Sequence, residues 1–374
     1  MKSANENSSF SQDCENLEQG CLLAMEKLKE LSNGDFYGYG EKLAKIYEQL
    51  ICLYIEAEEY EEAEKYLLLA MELYKKLSDT NPQEYGRHLA KCYYNLAVTY
   101  GNLYDYENEL KFGLLANELF ENISKGQKEY MPDLASSYDI TGSAYFRIKE
   151  YEKAEKYYTV AIKMRENLVN GGMHIPELIY SYEGICDVYN KLMYLKNPSE
   201  YKVKLYNSYN RLFELAKEEC EYEQANRYAL WENEICKDLA DKDNENYAEK
   251  LSISYTRLGH SYMNVKNYHK AKESYFSSAE IMQKLAEFDF KGYGKELAIC
   301  YHNLAYLYEC LKDNEQEKKY LALVVNVYEN LSLIDKEVYM QDLKSAYERI
   351  SNLYERLGDT QNASKYKNLA KELI

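Results

Sequence analysis

The chain has 374 residues, a formal net charge of −17, 43 tyrosines, 16 glycines and four prolines. So acidic a surface repels phosphate backbones and anionic lipid headgroups, so neither nucleic acid nor a membrane is an expected partner. Few prolines and glycines let helices run with little interruption, and so many tyrosines suggest one recurring at a fixed structural position.

Met1–Asp13 is polar and has no apolar h-region, so no secretory signal is expected there and the segment reads as disordered. The nine cysteines are scattered with no CxxC pair, which points to free thiols and a reducing, cytoplasmic setting. No apolar run approaches the ~20 residues that span a bilayer. The repeat-bearing region is then expected to begin at Cys14 and run to Ile374. Cys14–Leu31 reads as a helix without a partner. Its Leu-Ala-Met-Glu, ending at Glu26, returns as Leu69-Ala70-Met71-Glu72, 46 residues later. It is expected to serve as a cap, or to offer a bare apolar face for self-association.

The segment Tyr-Glu-x-Ala then recurs along the chain. It starts at Tyr60, Tyr151 and Tyr222, as Tyr-His-Lys-Ala at Tyr268, and in weaker form at Tyr106, Asn314 and Thr360. Taking each as an anchor, successive spacings are 46, 45, 71, 46, 46 and 46. A fixed period of that size marks a repeat solenoid. Before each anchor, apolar residues and tyrosines fall 17, 13, 10 and 6 positions back, as in Leu89, Tyr93, Leu96 and Tyr100. Steps of four, three and four define one face of a helix, helix A. After each anchor, small and apolar residues fall 3, 10 and 17 positions on, as in Ala63, Ala70 and Leu77, on helix B. The first of these is Glu109 and Glu317 in two repeats, and the second is Glu232, Ser278 and Val324 in three. Glycine, asparagine and proline near Asn81-Pro82, Gly171-Gly172 and Pro176 separate one pair from the next.

The 71-residue spacing hides one further helix A: Leu178, Tyr182, Ile185 and Tyr189 repeat its face and place a virtual anchor at Leu195. The next anchor follows 27 residues later, too soon for a helix B, and Lys196-Asn197-Pro198-Ser199 starts a new helix. A break in the array, with a kink or hinge, is expected near 193–199. The last helix, Gln361–Leu373, carries Lys365, Lys367 and Lys371 and reads as a polar cap.

These marks resemble the tetratricopeptide repeat over nearly the whole chain. Tyr93, Leu96-Ala97, Tyr100 and Tyr106 fill the helix A pattern, and Tyr60, Ala63 and Ala70 that of helix B. The period is 46 rather than the usual ~34, similar to kinesin light chain repeats and related bacterial arrays. The resemblance implies an all-α, right-handed superhelical solenoid of antiparallel helix pairs, about sixteen helices in all. It also implies a protein or peptide ligand held on the concave helix A face.

The position eleven before the anchor is polar in most repeats: Gln49, Asn95, Arg211, Arg257, Asn303 and Arg349, with Ile140 the exception. Amides and guanidiniums in a row can hydrogen-bond a peptide backbone or a carboxylate, or can bridge successive repeats. The position eight before the anchor varies and includes His260, Tyr306 and Asn352. Tyr94, His302 and Tyr306 add aromatic anchors of the kind found at binding hot spots. No catalytic or metal motif stands out. There is no HExxH, GxSxG, Walker loop or Rossmann glycine pattern, and no histidine pair at four-residue spacing. No metal, no cofactor and no enzymatic activity are expected. The reading is a protein- or peptide-binding scaffold; the alternative is a peptide-responsive regulator that changes superhelical pitch. An enzyme acting through a groove residue is a remote third.

Overall fold

The structure, a computed structural model, describes residues 18–24, 26, 36–125, 127–168 and 174–373. Met1–Asp13, most of the partner-less helix expected over 14–31, and Gly171-Gly172 lie outside these. The described residues are helical throughout, with no strand. A short helical segment over 18–24 precedes fifteen helices. In chain order these are α1 (Phe36–Glu56), α2 (Tyr60–Thr80), α3 (Pro82–Asn102), α4 (Tyr106–Ile123), α5 (Met131–Arg147), α6 (Tyr151–Leu168) and α7 (Ile175–Leu195). They continue with α8 (Pro198–Glu218), α9 (Tyr222–Lys242), α10 (Asn244–Asn264), α11 (Tyr268–Phe288), α12 (Phe290–Cys310), α13 (Asn314–Ile334), α14 (Lys336–Arg356) and α15 (Thr360–Glu372). Every anchor residue begins a helix B.

The helices form two compact units, divided between Leu192 and Met193. Within each unit, successive helices pack against one another in sequence order, from α1 to α6 in the first and from α8 to α15 in the second. No helix B follows α7: Leu195 ends it, Asn197 caps α8 by accepting from Ser199 N and Glu200 N, and Pro198 stands in its first turn. Pro is suited to that place because its missing N–H would have no partner there. Helix α8 then packs on α9 as a helix A packs on its helix B.

Helix boundaries follow from short-range chemistry. The side chains of Asn81, Asp105, Asp243, Asn267, Asp289, Asp313, Asp335 and Asp359 each accept from a backbone N–H in the first turn of the helix that follows. The A-to-B turn is the same in all seven repeats. Two residues before each anchor the backbone is left-handed, at Glu58, Tyr104, Lys149, Cys220, Lys266, Lys312 and Gly358, with φ from 58° to 76°. The N–H one position on donates to the carbonyl five residues earlier, as in Asp313 N to Tyr308 O at 2.9 Å. Carbonyls left open at the end of helix A are thereby satisfied.

The tyrosines form a recurring group of three rings. In α1–α2, Tyr54 stacks on Tyr66 at 5.5 Å between centroids and Tyr47 tilts against the same ring at 5.8 Å. The group recurs as Tyr93, Tyr100 and Phe112, as Tyr138, Tyr145 and Tyr157, as Tyr301, Tyr308 and Tyr320, and as Tyr347, Tyr354 and Tyr366. The third ring, six residues after the anchor, was not anticipated from the sequence. In α8–α9 alanine (Ala216) replaces the second tyrosine, and Trp231 packs against Tyr209 and Tyr228 instead. Hydroxyls at the first position reach the preceding helix B: Tyr138 to Glu121, Tyr182 to Glu166 and Tyr347 to Glu329 at 2.5, 3.0 and 2.8 Å. A buried phenol thus keeps a partner for its polar tip.

Candidate functional site

In the first unit the helix A members α1, α3, α5 and α7 line two adjoining cavities. The first, about 470 Å³, is bounded by Glu48 and Cys52 of α1, His88, Lys91, Tyr94 and Asn95 of α3, and Asp133 and Ser136 of α5, among others. The second, about 410 Å³, is bounded by Tyr94, Val98 and Asn102 of α3, Ser136, Asp139, Ile140 and Arg147 of α5, Arg165 of α6, and Glu177 and Tyr180 of α7. Tyr94 and Ser136 belong to both, so the cavities form one groove across the helix A face. Expected residues Tyr94 and Asn95 both lie in it, half-buried.

The groove wall is polar and mostly paired. Glu48 accepts from Tyr74 at 2.7 Å and faces His88 at 3.0 Å, and Arg87 meets Asp133 at 2.8 Å. Deeper, Arg165 donates to Asp139 Oδ2 from Nε at 3.1 Å and from Nη2 at 2.7 Å, and Ser181 donates to the same oxygen at 2.9 Å. Asp139 Oδ1, equally buried, has no partner among the described residues. Burial raises the Asp139 carboxyl to about 6 despite the arginine beside it.

Two further acids are buried by the same logic. Glu109 replaces the usual alanine after the anchor and meets Arg147 of the next helix A at 3.2 Å; that arginine also donates to Gly101 O at 2.8 Å. Glu317 repeats the substitution and meets Arg356, at the position equivalent to Arg147. The signal was present in the sequence. Where alanine holds the position three after the anchor, no arginine stands four before the next one; where glutamate holds it, an arginine does.

Elsewhere the expected residues have diverse fates. Gln49 Oε1 lies 3.8 Å from Cys21 Sγ in the 18–24 segment. Arg211 is half-buried on α8. Arg257 donates to fully buried Glu232 at 2.6 Å, with Glu214 at 3.8 Å, and so bridges helices. His260 Nε2 lies 3.3 Å from Asn303 Oδ1, which joins two expected residues on α10 and α12. His302 and Arg349 are likewise joined, at 3.4 Å. Tyr306 and Asn352 are exposed. The polar row is therefore not uniform: some members hold repeats together, while Asn95 makes no hydrogen bond with the described residues. Among those residues no cluster of three or more histidines, cysteines or acids is placed to hold a metal ion. Among the described residues, too, no helix is long and apolar enough to cross a membrane.

A family model for the tetratricopeptide repeat matches residues 135–168 and 253–276. No curated protein matches the chain. Similar solved structures include BtubC (BKLC) from P. vanneervenii, at 15% identity and a TM-score of 0.37, covering 72% of this chain and 90% of that one. Another is the set of kinesin light chain TPR-like repeats from Podosopora anserina, at 12% identity and 0.34, covering 65% and 95%. A third is the apo form of the quorum sensor NprR from B. thuringiensis, at 16% and 0.32, covering 97% and 99%. One matched segment spans α5–α6 and the other lies in α10–α11, and the same anchors, turns and ring groups recur between and beyond them: the chain carries tetratricopeptide repeats within an array of 46-residue period.

Proposed function

We propose that the chain is a non-enzymatic scaffold that holds an extended peptide segment along the helix A groove of its first unit. The observation that carries this reading is the joined pair of cavities at Tyr94 and Ser136, floored by polar groups and lined by four helices A. The Asn95 carboxamide has both a donor and an acceptor to offer a peptide unit, and Tyr94 gives that unit an aromatic wall. An extended ligand would gain main-chain hydrogen bonds from such groups and specificity from the side-chain pockets between them.

The reading is tested by selecting peptides from a random library and titrating the best binder against the wild type, Tyr94→Ala, Asn95→Ala and Asn352→Ala. Loss of the amide pair at Asn95 is expected to weaken binding about tenfold, the worth of one or two hydrogen bonds, with Asn352→Ala unchanged. A binder insensitive to both groove substitutions places the ligand off the groove. Failure to select any peptide from a library covering all short sequences ends the peptide reading.

A further inference from the structure

Large apolar side chains face solvent at one edge of the second unit, where a helix B ends and the next helix A begins. Phe288 ends α11 with 93% of its surface exposed, and Leu333 and Ile334 end α13 at 85% and 48%. Val338, in the first turn of α14, is 60% exposed. Phe288 and Ile334 stand 46 residues apart, at the same place in successive repeats. The two junctions adjoin. A methyl group at Gly294, in the first two turns of α12, would lie 3.0 Å from Leu331 near the end of α13, and Lys295 meets Asp342 of α14 at 3.3 Å.

The fold does not require these side chains. At the ends of α2 and α9 the residues equivalent to Phe288 and Ile334 are Thr80 and Lys242, both exposed. The residues equivalent to Leu333 are Asp79 and Asp241, exposed as well. A helix B therefore ends equally well on a polar pair. Large apolar groups left in water at adjoining junctions mark a contact surface rather than a packing need.

The charges beside the patch indicate what covers it. Asp289 and Asp335 cap α12 and α14, Glu287 accepts from Gln283, and Lys284 pairs with Glu280. Lys291 beside Phe288, and Lys336 and Glu337 beside Val338, are exposed and make no ion pair among the described residues. The free charge at the Phe288 end is thus positive, and the free carboxylate lies at the other end. A twofold axis between the ends lays each on the other, so that Phe288 of one copy meets Leu333 and Val338 of the second, and Lys291 meets Glu337, twice over. Two chains of net charge −17 repel at long range, so a contact between them has to be apolar and poor in free acid, as this edge is.

We infer that this edge is the contact of a twofold dimer of the chain. It uses neither the segment over 14–31 nor the peptide groove of the first unit, so this inference and the peptide reading can fail separately.

Sedimentation velocity of the full chain across the micromolar range tests it. The wild type is expected to sediment as a dimer that dissociates on dilution. Phe288→Thr with Leu333→Asp, which installs the residues of the earlier helix ends, is expected to sediment as a monomer with unchanged far-ultraviolet circular dichroism. Lys291→Glu and Glu337→Lys are each expected to weaken the dimer about tenfold, since each change spoils both charge pairs, and the double exchange to restore it. A wild type that stays monomeric overturns the inference and leaves the edge to a different protein. A dimer that survives Phe288→Thr with Leu333→Asp places the contact elsewhere, and loss without rescue in the double exchange rules out the twofold pairing.

Discussion

Glu109 is fully buried where most repeats place an alanine, and among the described residues its partner is Arg147 on the next helix A. Removing the arginine alone leaves a buried, unpaired acid. Arg147→Ala is expected to cost about 3–5 kcal/mol, while adding Glu109→Ala, which restores the usual residue, recovers most of it. Urea unfolding of the two single variants and the double variant measures this coupling; additive losses would refute it. The same acids fix the pH response. Burial raises Glu109 and Glu232 to about 7 in the fold, above the usual 4.5. The folded state therefore holds these protons more tightly than the unfolded chain. Their contribution to stability is complete below about 4.5 and is lost as pH rises through 7. The melting temperature is expected to fall between pH 6 and 8, and Glu109→Gln with Glu232→Gln to flatten that slope. These pairs escaped the sequence reading because each joins residues 25 to 39 positions apart, on no common helix face. Only a comparison between repeats shows the glutamate and arginine arriving together.

At the scale of the element, helix faces were fully legible. Leu43, Leu96, Leu205 and Leu304 all sit in the core where the four-three-four spacing puts them. The third ring of each aromatic group was as periodic as the first two, with tyrosine at 66, 157, 320 and 366 and phenylalanine at 112, but its stacking partners stand on the other helix of the pair, where a single-helix spacing does not reach. The left-handed turn was hidden because its residue type varies: glutamate, tyrosine, lysine and cysteine all fill it and glycine does so once, at Gly358. An L side chain there costs roughly 1 kcal/mol relative to glycine. Lys312→Gly is thus expected to raise stability by up to about 1 kcal/mol, read from the urea midpoint at unchanged slope. A lower midpoint would mean that the lysine side chain contributes something the backbone argument omits.

Across the whole molecule, helices meet mainly their sequence neighbours within each of two compact units. Stability in such an array is close to a sum of repeat and nearest-neighbour terms. Leu304, fully buried on α12, makes a local probe. Leu304→Ala is expected to cost about 2–5 kcal/mol. Hydrogen exchange should then lose protection in α10–α15 and keep it in α1–α6. An equal loss in both units would show one cooperative body instead. The groove was legible only in outline. Periodicity gave the helix A face and Asn95 upon it, but not which members of the polar row turn toward a neighbouring repeat.

The repeat that follows the break also carries an optical label. Trp231 is the only tryptophan in a chain of 43 tyrosines, and it lies 5.5 Å from Tyr209 and 5.9 Å from Tyr228 between ring centroids. Excited-state energy absorbed by those tyrosines will drain into the indole, while light at the red edge addresses the indole alone. The ratio of the two emissions reads the closeness of α8 and α9, beside the place where the period fails, without any dye attached.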